Sequence, residues 1–194
     1  MTTEVTTAPR AAARDRLLAA ANELFYAEGI HTVGIDRIIE RAGVAKASLY
    51  NTFGSKDELI VAYLRSRQAR SQGRITAAIE RNDEPRARLL AVFEAQSESF
   101  ADPAFRGCAF ANANAESEAG SVVEHVSGEY RRWLRALLVE LAQAAGVSDA
   151  EVFARRLHLL YDGAMLSARM DHDAQAASTA REAAEIMLDA ALAA

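Results

Sequence analysis

Seventeen residues, Gly43 to Leu59, constrain the fold of this 194-residue chain more than any other stretch. They read Gly-Val-Ala-Lys-Ala-Ser-Leu-Tyr-Asn-Thr-Phe-Gly-Ser-Lys-Asp-Glu-Leu. Gly43 suits the left-handed residue that follows a helix. Leu49 and Phe53 stand four apart, on one face of a short helix over Lys46 to Thr52. Ser55 with Glu58 three residues on is a capping box that opens another helix. A turn, a short helix and a new helix start in so few residues leave no room for a strand. The segment must pack as a corner of helices.

The rest of the chain agrees. Prolines number three, β-branched residues are scattered, and Ala, Leu, Glu and Arg recur at helical spacing, so the fold class is all α. The first helix is predicted from about Ala12 to Glu28, with Leu17, Leu18, Ala21, Leu24 and Phe25 on one face and Gly29 as its stop. A second short helix, Ile35 to Ala42, turns Ile35, Ile38 and Ile39 to the same core. Ser148 with Glu151 repeats the capping box, and Asp83 ahead of Pro85 and Asp102 before Pro103 give two more helix-start signals. These divide the remainder into helices near 56 to 81, 84 to 101, 104 to 119, 121 to 145, 148 to 169 and 173 to 192, about nine in all. No internal repeat or Pro/Gly/Ser linker is visible. The expected organisation is a small unit over 1–55 joined through the fourth helix to a larger one over 56–194.

Helices two and three fit a helix-turn-helix, in which one helix braces across a nucleic-acid backbone and the next lies in the major groove. With Leu49 and Phe53 inward, the groove-facing set is Lys46, Ala47, Ser48, Tyr50 and Asn51. Lys46 and Asn51 can hydrogen-bond base edges, Ala47 can touch a thymine methyl, and Tyr50 suits a phosphate. Lys56 sits in the first turn of helix four, where a phosphate would meet both its ammonium and the partial positive end of the helix, and Arg37 near the start of helix two is placed similarly. Charge distribution supports this. The chain carries −5 overall, yet residues 1–74 carry +3 and residues 75–194 carry −8. Only locally placed cations displace phosphate counterions.

The single cysteine, Cys108, forms no internal disulfide, which suits a reducing cytosol. Met1 to Ala13 lacks the apolar stretch of a secretory signal, and charges recur too often for a membrane span. The expectation is a cytoplasmic protein with no membrane association.

In these residues the chain resembles the TetR family of bacterial transcriptional regulators. The family's glycine-valine turn, Leu-Tyr-x-x-Phe helix and Lys-(Asp/Glu)-Glu-Leu helix start appear as Gly43-Val44, Leu49-Tyr50-Asn51-Thr52-Phe53 and Lys56-Asp57-Glu58-Leu59. The Ala20 to Gly29 segment is similar to the family's first helix. The likeness is strong over residues 12 to 60; beyond them it rests on length and helical layout. Two departures stand out. Ala45 replaces a serine that caps the recognition helix in many relatives, and Gly34 replaces a Thr or Ser before helix two.

The resemblance implies a homodimeric, DNA-binding regulator, a repressor by family habit, in which each copy reads half of a pseudo-palindromic operator and a small apolar or amphipathic effector releases it. It implies dimerisation through the last two helices, which carry Leu157, Tyr161, Ala164, Met165 and Ala168, then Ala177, Ala180, Ala184, Met187, Leu188 and Ala191. The run Gly107-Cys108-Ala109-Phe110-Ala111-Asn112-Ala113-Asn114-Ala115-Glu116 is similar to one found in a subgroup of such regulators. On a helix, Cys108, Asn112 and Glu116 form one polar stripe, which either faces a ligand cavity or bonds neighbouring helices. Candidate effector contacts are Phe93, Cys108, Phe110, Asn112, Glu116, Trp133, His158, Tyr161, Asp162 and Met165. His158 and Asp162 share a helix face as two metal ligands could, but no third ligand is identifiable, so neither metal nor cofactor is expected. The competing readings are a Cys108-based redox or electrophile-sensing regulator and an all-helical Cys-dependent enzyme; no catalytic order, phosphate loop or metal cluster favours the enzyme.

Overall fold

The computed structural model describes the backbone of residues 8–193 and the side chains of 12–193, so residues 1–7 of the leader reading lie outside it. Among the described residues there are nine helices and no strand. They run α1 (Ala8–Glu28), α2 (Ile35–Ala42), α3 (Lys46–Phe53), α4 (Lys56–Glu80), α5 (Pro85–Phe100), α6 (Ala109–Ala115), α7 (Val122–Ala144), α8 (Ala150–Met170) and α9 (Ala176–Leu192). The chain gathers into two compact units. One holds residues up to Arg67 together with Ala109–Ser127; the other holds Gln68–Cys108 and Gly128 onward. The divisions therefore fall inside α4 and α7.

In the first unit α1, α2 and α3 pack on one another around Leu17, Ala21, Leu24, Phe25, Ile38 and Leu49. Phe25 meets Tyr63 of α4 edge-on, with ring centroids 5.6 Å apart. A buried polar link fixes the same pair of helices. The Asn22 amide donates to the Leu18 carbonyl at 2.9 Å and accepts from Ser66 Oγ at 2.9 Å, while Arg67 donates to the Asn22 carbonyl at 3.0 Å. The Arg67 guanidinium also lies 3.7 Å above the Tyr26 ring. A buried asparagine is tolerated because each of these groups is satisfied.

In the second unit α5, α8 and α9 enclose a core that runs from Ile75 to Leu188, with Phe93, Leu134, Phe153 and Leu157 at its centre. Ion pairs tie the helices together at the surface. Arg86 on α5 bonds Glu185 and Asp189 on α9, and Arg181 on α9 bonds Glu94 on α5 at 2.7 Å.

Three expectations need correction. The helix predicted over 104–119 is shorter, because Asp102 accepts the Ala104 N–H at 2.8 Å in a tight turn and Gly107 sits at φ 86°, a left-handed conformation that cannot continue a right-handed helix. Cys108 consequently precedes α6 instead of lying on it. The cap of α8 is Asp149, whose side chain accepts the Val152 N–H at 3.2 Å, and not Ser148. A side-chain cap of the kind expected there stands instead at α7, where Ser121 Oγ accepts the Glu124 N–H and the Glu124 carboxylate reaches back to the Gly120 N–H, one residue before the cap. Third, the apolar residues of α8 and α9 named as partner-facing point inward. Leu157, Tyr161, Ala164, Ala168, Ala177, Ala180, Ala184 and Leu188 are buried in their own unit, and Met165, Met187 and Ala191 pack on its core. The outward apolar positions of the same helices are Leu159, Leu166, Met170 and Ile186, exposed by 73%, 59%, 69% and 71%. Both helices are apolar on more than one side, so periodicity alone could not choose the face.

Candidate nucleic-acid and effector sites

The short helix α3 is presented by one buried residue. Leu49 is fully enclosed, while Lys46, Ala47, Tyr50 and Asn51 are exposed and Ser48 is half-buried. Phe53 is half-buried, with the Arg14 guanidinium 5.7 Å from its ring. Gly43 ends α2 at φ 61° and ψ 44°, giving the turn that sets α3 at an angle to it. Neither Gly34 nor Ala45 makes a side-chain cap, as their replacement of Ser or Thr implied. Ser55 does cap α4, accepting the Glu58 N–H at 3.1 Å, and Lys56 stands half-buried in that first turn.

The cations of this head are not bare. Lys46 Nζ donates to Asp36 Oδ1 at 2.9 Å. Arg37 donates to both Glu28 oxygens at 2.5 and 2.8 Å, and Arg41 to both Glu23 oxygens at 3.1 and 2.7 Å. The hydrogen bond from Arg37 draws the Glu28 carboxyl below its usual range, and the bond to Asp36 raises Lys46. All three pairs are exposed and add little to folding. Asp36, Glu28 and Glu23 were not singled out from sequence, since no helical spacing links residues on different helices.

A second set of contacts joins α6 to the α1–α2 turn. The Glu116 carboxylate accepts the His31 N–H at 2.9 Å and lies directly over Gly29, where an added Cβ would stand 2.6 Å from Oε1. Phe110 is buried, Asn112 exposed and Glu116 half-buried, and all three belong to the unit that carries the helix-turn-helix.

The other seven candidate effector contacts, Phe93, Cys108, Trp133, His158, Tyr161, Asp162 and Met165, lie in the second unit. Phe93 and Tyr161 are buried with centroids 6.2 Å apart, and Trp133 stacks on Tyr130 at 5.8 Å. Tyr130 shares a 2.7 Å hydrogen bond with Ser71 and another with Tyr161; burial pushes both phenols above their ordinary value. Gln96 donates to the Tyr161 carbonyl at 3.1 Å, yet its buried Oε1 has no partner. Cys108, half-buried, interacts electrostatically with Tyr130, Tyr161 and Arg131. His158 is 3% exposed and neither ring nitrogen has a hydrogen-bond partner; Asp162 approaches it only to 3.8 Å, being held by Arg131 at 2.8 Å. Burial keeps the His158 imidazole below its ordinary value. Sequence reasoning missed Ser71, Gln96 and Tyr130, which sit among apolar residues that looked like plain core.

Among the described residues no group of three or more His, Cys, Asp or Glu is placed to hold a metal, and no helix is long and apolar enough to cross a membrane.

Comparison with known proteins agrees with this geometry. The profile described as "Bacterial regulatory proteins, tetR family" matches residues 17–63, and "Tetracyclin repressor-like, C-terminal domain" matches residues 85–184. A TetR-family transcriptional regulator from Streptomyces coelicolor superposes with a TM-score of 0.88 at 36% identity, covering 94% of this chain and 97% of that one. The HTH-type transcriptional activator FasR of Mycolicibacterium smegmatis is 40% identical over 87 residues, which are 45% of this chain and 40% of FasR. The HTH-type transcriptional regulator BetI of Rhizobium meliloti is 29% identical over 153 residues, 77% of this chain and 74% of BetI.

Proposed function

This chain belongs to the TetR family of helix-turn-helix transcriptional regulators, not a family of enzymes, and from that premise we propose that it acts as an effector-released repressor. Two copies read a pseudo-palindromic operator, each through Lys46, Ala47, Ser48, Tyr50 and Asn51 in the major groove, with Arg37 and Lys56 on phosphates. The observation that carries this reading is the sidedness of α3: Leu49 is fully buried while Lys46, Ala47, Tyr50 and Asn51, small or hydrogen-bonding, stand in solvent and Ser48 is half-exposed. We place the pairing of copies on the outward apolar positions of the last two helices, Leu159, Leu166, Met170 and Ile186, large side chains that stand in solvent in the single chain.

The effector is a small apolar or amphipathic molecule held in the second unit near Phe93, Trp133, Tyr161 and Met165, with Cys108, His158 and Asp162 as polar contacts. Buried polar atoms without partners, Gln96 Oε1 and both His158 nitrogens, support a ligand that brings hydrogen bonds of its own. Repression is taken from family habit; FasR is named an activator, so a promoter-reporter fusion decides between them.

The test is retardation of DNA from upstream of the chain's own gene, titrated with salt. Sequence-selective, salt-dependent binding is expected, and Lys46→Ala should weaken it with unchanged helicity. Normal affinity in Lys46→Ala would remove that residue from the contact set, and the absence of any retained DNA would end the regulator reading.

A further inference from the structure

Every cation on α2 and α3 is held by a carboxylate of the same head: Arg37 by Glu28, Arg41 by Glu23 and Lys46 by Asp36. Between residues 12 and 56 there are six Lys and Arg against five Asp and Glu, a net charge of only +1. Of these pairs, Lys46 with Asp36 involves the one cation in the proposed base-reading set. Asp36 is 82% exposed and Lys46 61%, so packing does not impose the contact. The lysine is free to exchange one anion for another.

That exchange has a definite cost in salt. An unpaired lysine that meets a phosphate releases a condensed cation from DNA, and binding strengthens accordingly as salt falls. A lysine already neutralised by Asp36 gains no such release overall, because moving to a phosphate strips the carboxylate and leaves it bare beside a polyanion, where it gathers a cation in return. Duplex of arbitrary sequence thus offers Lys46 almost nothing. A site with a correctly placed acceptor, such as the O6 and N7 edge of guanine, offers a directional contact that the carboxylate does not match.

We infer that Asp36 is a specificity-determining residue of the head: by holding Lys46 it lowers affinity for DNA in general and confines the contribution of that lysine to sites that present a well-placed acceptor. This rests on the reading of α3 as the groove-reading helix. Asp36 is a positioning residue here, acting through Lys46.

The experiment uses the full chain and a labelled mixed-sequence duplex, titrated at several salt concentrations, alongside a preferred sequence that the protein selects from a random pool. Asp36→Asn should raise affinity for the mixed duplex about three- to tenfold near 0.1 M salt and steepen the dependence of log K on log salt by about 0.9 per engaged head. Affinity for the selected sequence should rise less, so discrimination falls. Asp36→Glu should restore wild-type behaviour, and Lys46→Ala in the Asp36→Asn background should remove the gain. Glu40→Gln takes a negative charge from α2 without freeing Lys46, and should leave the salt slope unchanged. An unaltered slope in Asp36→Asn, an equal gain in Glu40→Gln, or a gain that survives Lys46→Ala would each overturn the inference while leaving DNA binding intact. Failure of every variant and the wild type to retain any duplex at low salt would overturn the groove reading, and this inference with it.

Discussion

Replacing Gly29 by alanine tests whether the turn between α1 and α2 is held by the Glu116 carboxylate. Gly29 has φ 98°, where an L side chain is strained, and an alanine Cβ would lie 2.6 Å from Glu116 Oε1. The backbone alone should cost about 1–2 kcal/mol. The carboxylate must also move away from the His31 N–H, which it accepts at 2.9 Å. A hydrogen bond to a charged group contributes about 1.5–3 kcal/mol in general, and half-exposure places this one at about 1–1.5 kcal/mol. Together Gly29→Ala should destabilise by about 2–3.5 kcal/mol on these figures. In a Glu116→Ala background there is no carboxylate to displace, so the same change should cost only the backbone part. The two changes should therefore be coupled by about 1–1.5 kcal/mol, well above the few tenths found for independent sites. Urea denaturation of all four proteins, followed by circular dichroism, measures this. Additivity of the two substitutions would refute a strained turn pinned by Glu116.

Two further predictions concern the second unit. The His158 imidazole is held below its ordinary value of 6.5 by burial, against the pull of Asp162 and with the help of Arg131 and Arg135, so the unfolded chain takes up this proton more readily than the folded one. Stability should be complete above about pH 6.5 and decline as pH falls toward the folded-state value; His158→Gln should flatten that decline, and parallel curves would refute the assignment. Ile186, 71% exposed on α9, should tolerate glutamate without loss of folding while the chain turns from dimer to monomer in sedimentation. A dimer of undiminished affinity would move the interface to another face.

What could be read in advance follows the range of the interaction involved. The ends of α2, α3 and α4 were legible because a glycine turn, a helix period and the Ser55 to Glu58 spacing act within a few residues. The Ser121 cap on the Glu124 N–H is just as local and was legible in principle. Arg37 with Glu28, Lys46 with Asp36 and His31 with Glu116 were not, since those partners meet only after different helices pack, the last pair 85 residues apart. The face of α8 failed for a related reason. Leu157, Tyr161 and Ala164 make one stripe and Leu159, Leu166 and Met170 another, and nothing in either spacing says which meets the core of its own chain.

The head's own composition argues for binding in pairs. α2 and α3 have eight residues each and no side-chain caps, so their order comes from Ile38, Ala42 and Leu49 packed in the core, not from helix propensity. The same small head holds three of its cations in internal pairs and carries a net +1 between residues 12 and 56. A single head with so few uncommitted cations gains little counterion release, and one short helix reaches few base edges. Linking two heads makes the second binding event intramolecular and multiplies these weak contacts. If the copies pair through Leu159, Leu166, Met170 and Ile186 as proposed, a monomeric Ile186→Glu chain should lose operator binding with every groove-facing residue in place, and retained binding would refute recognition in pairs.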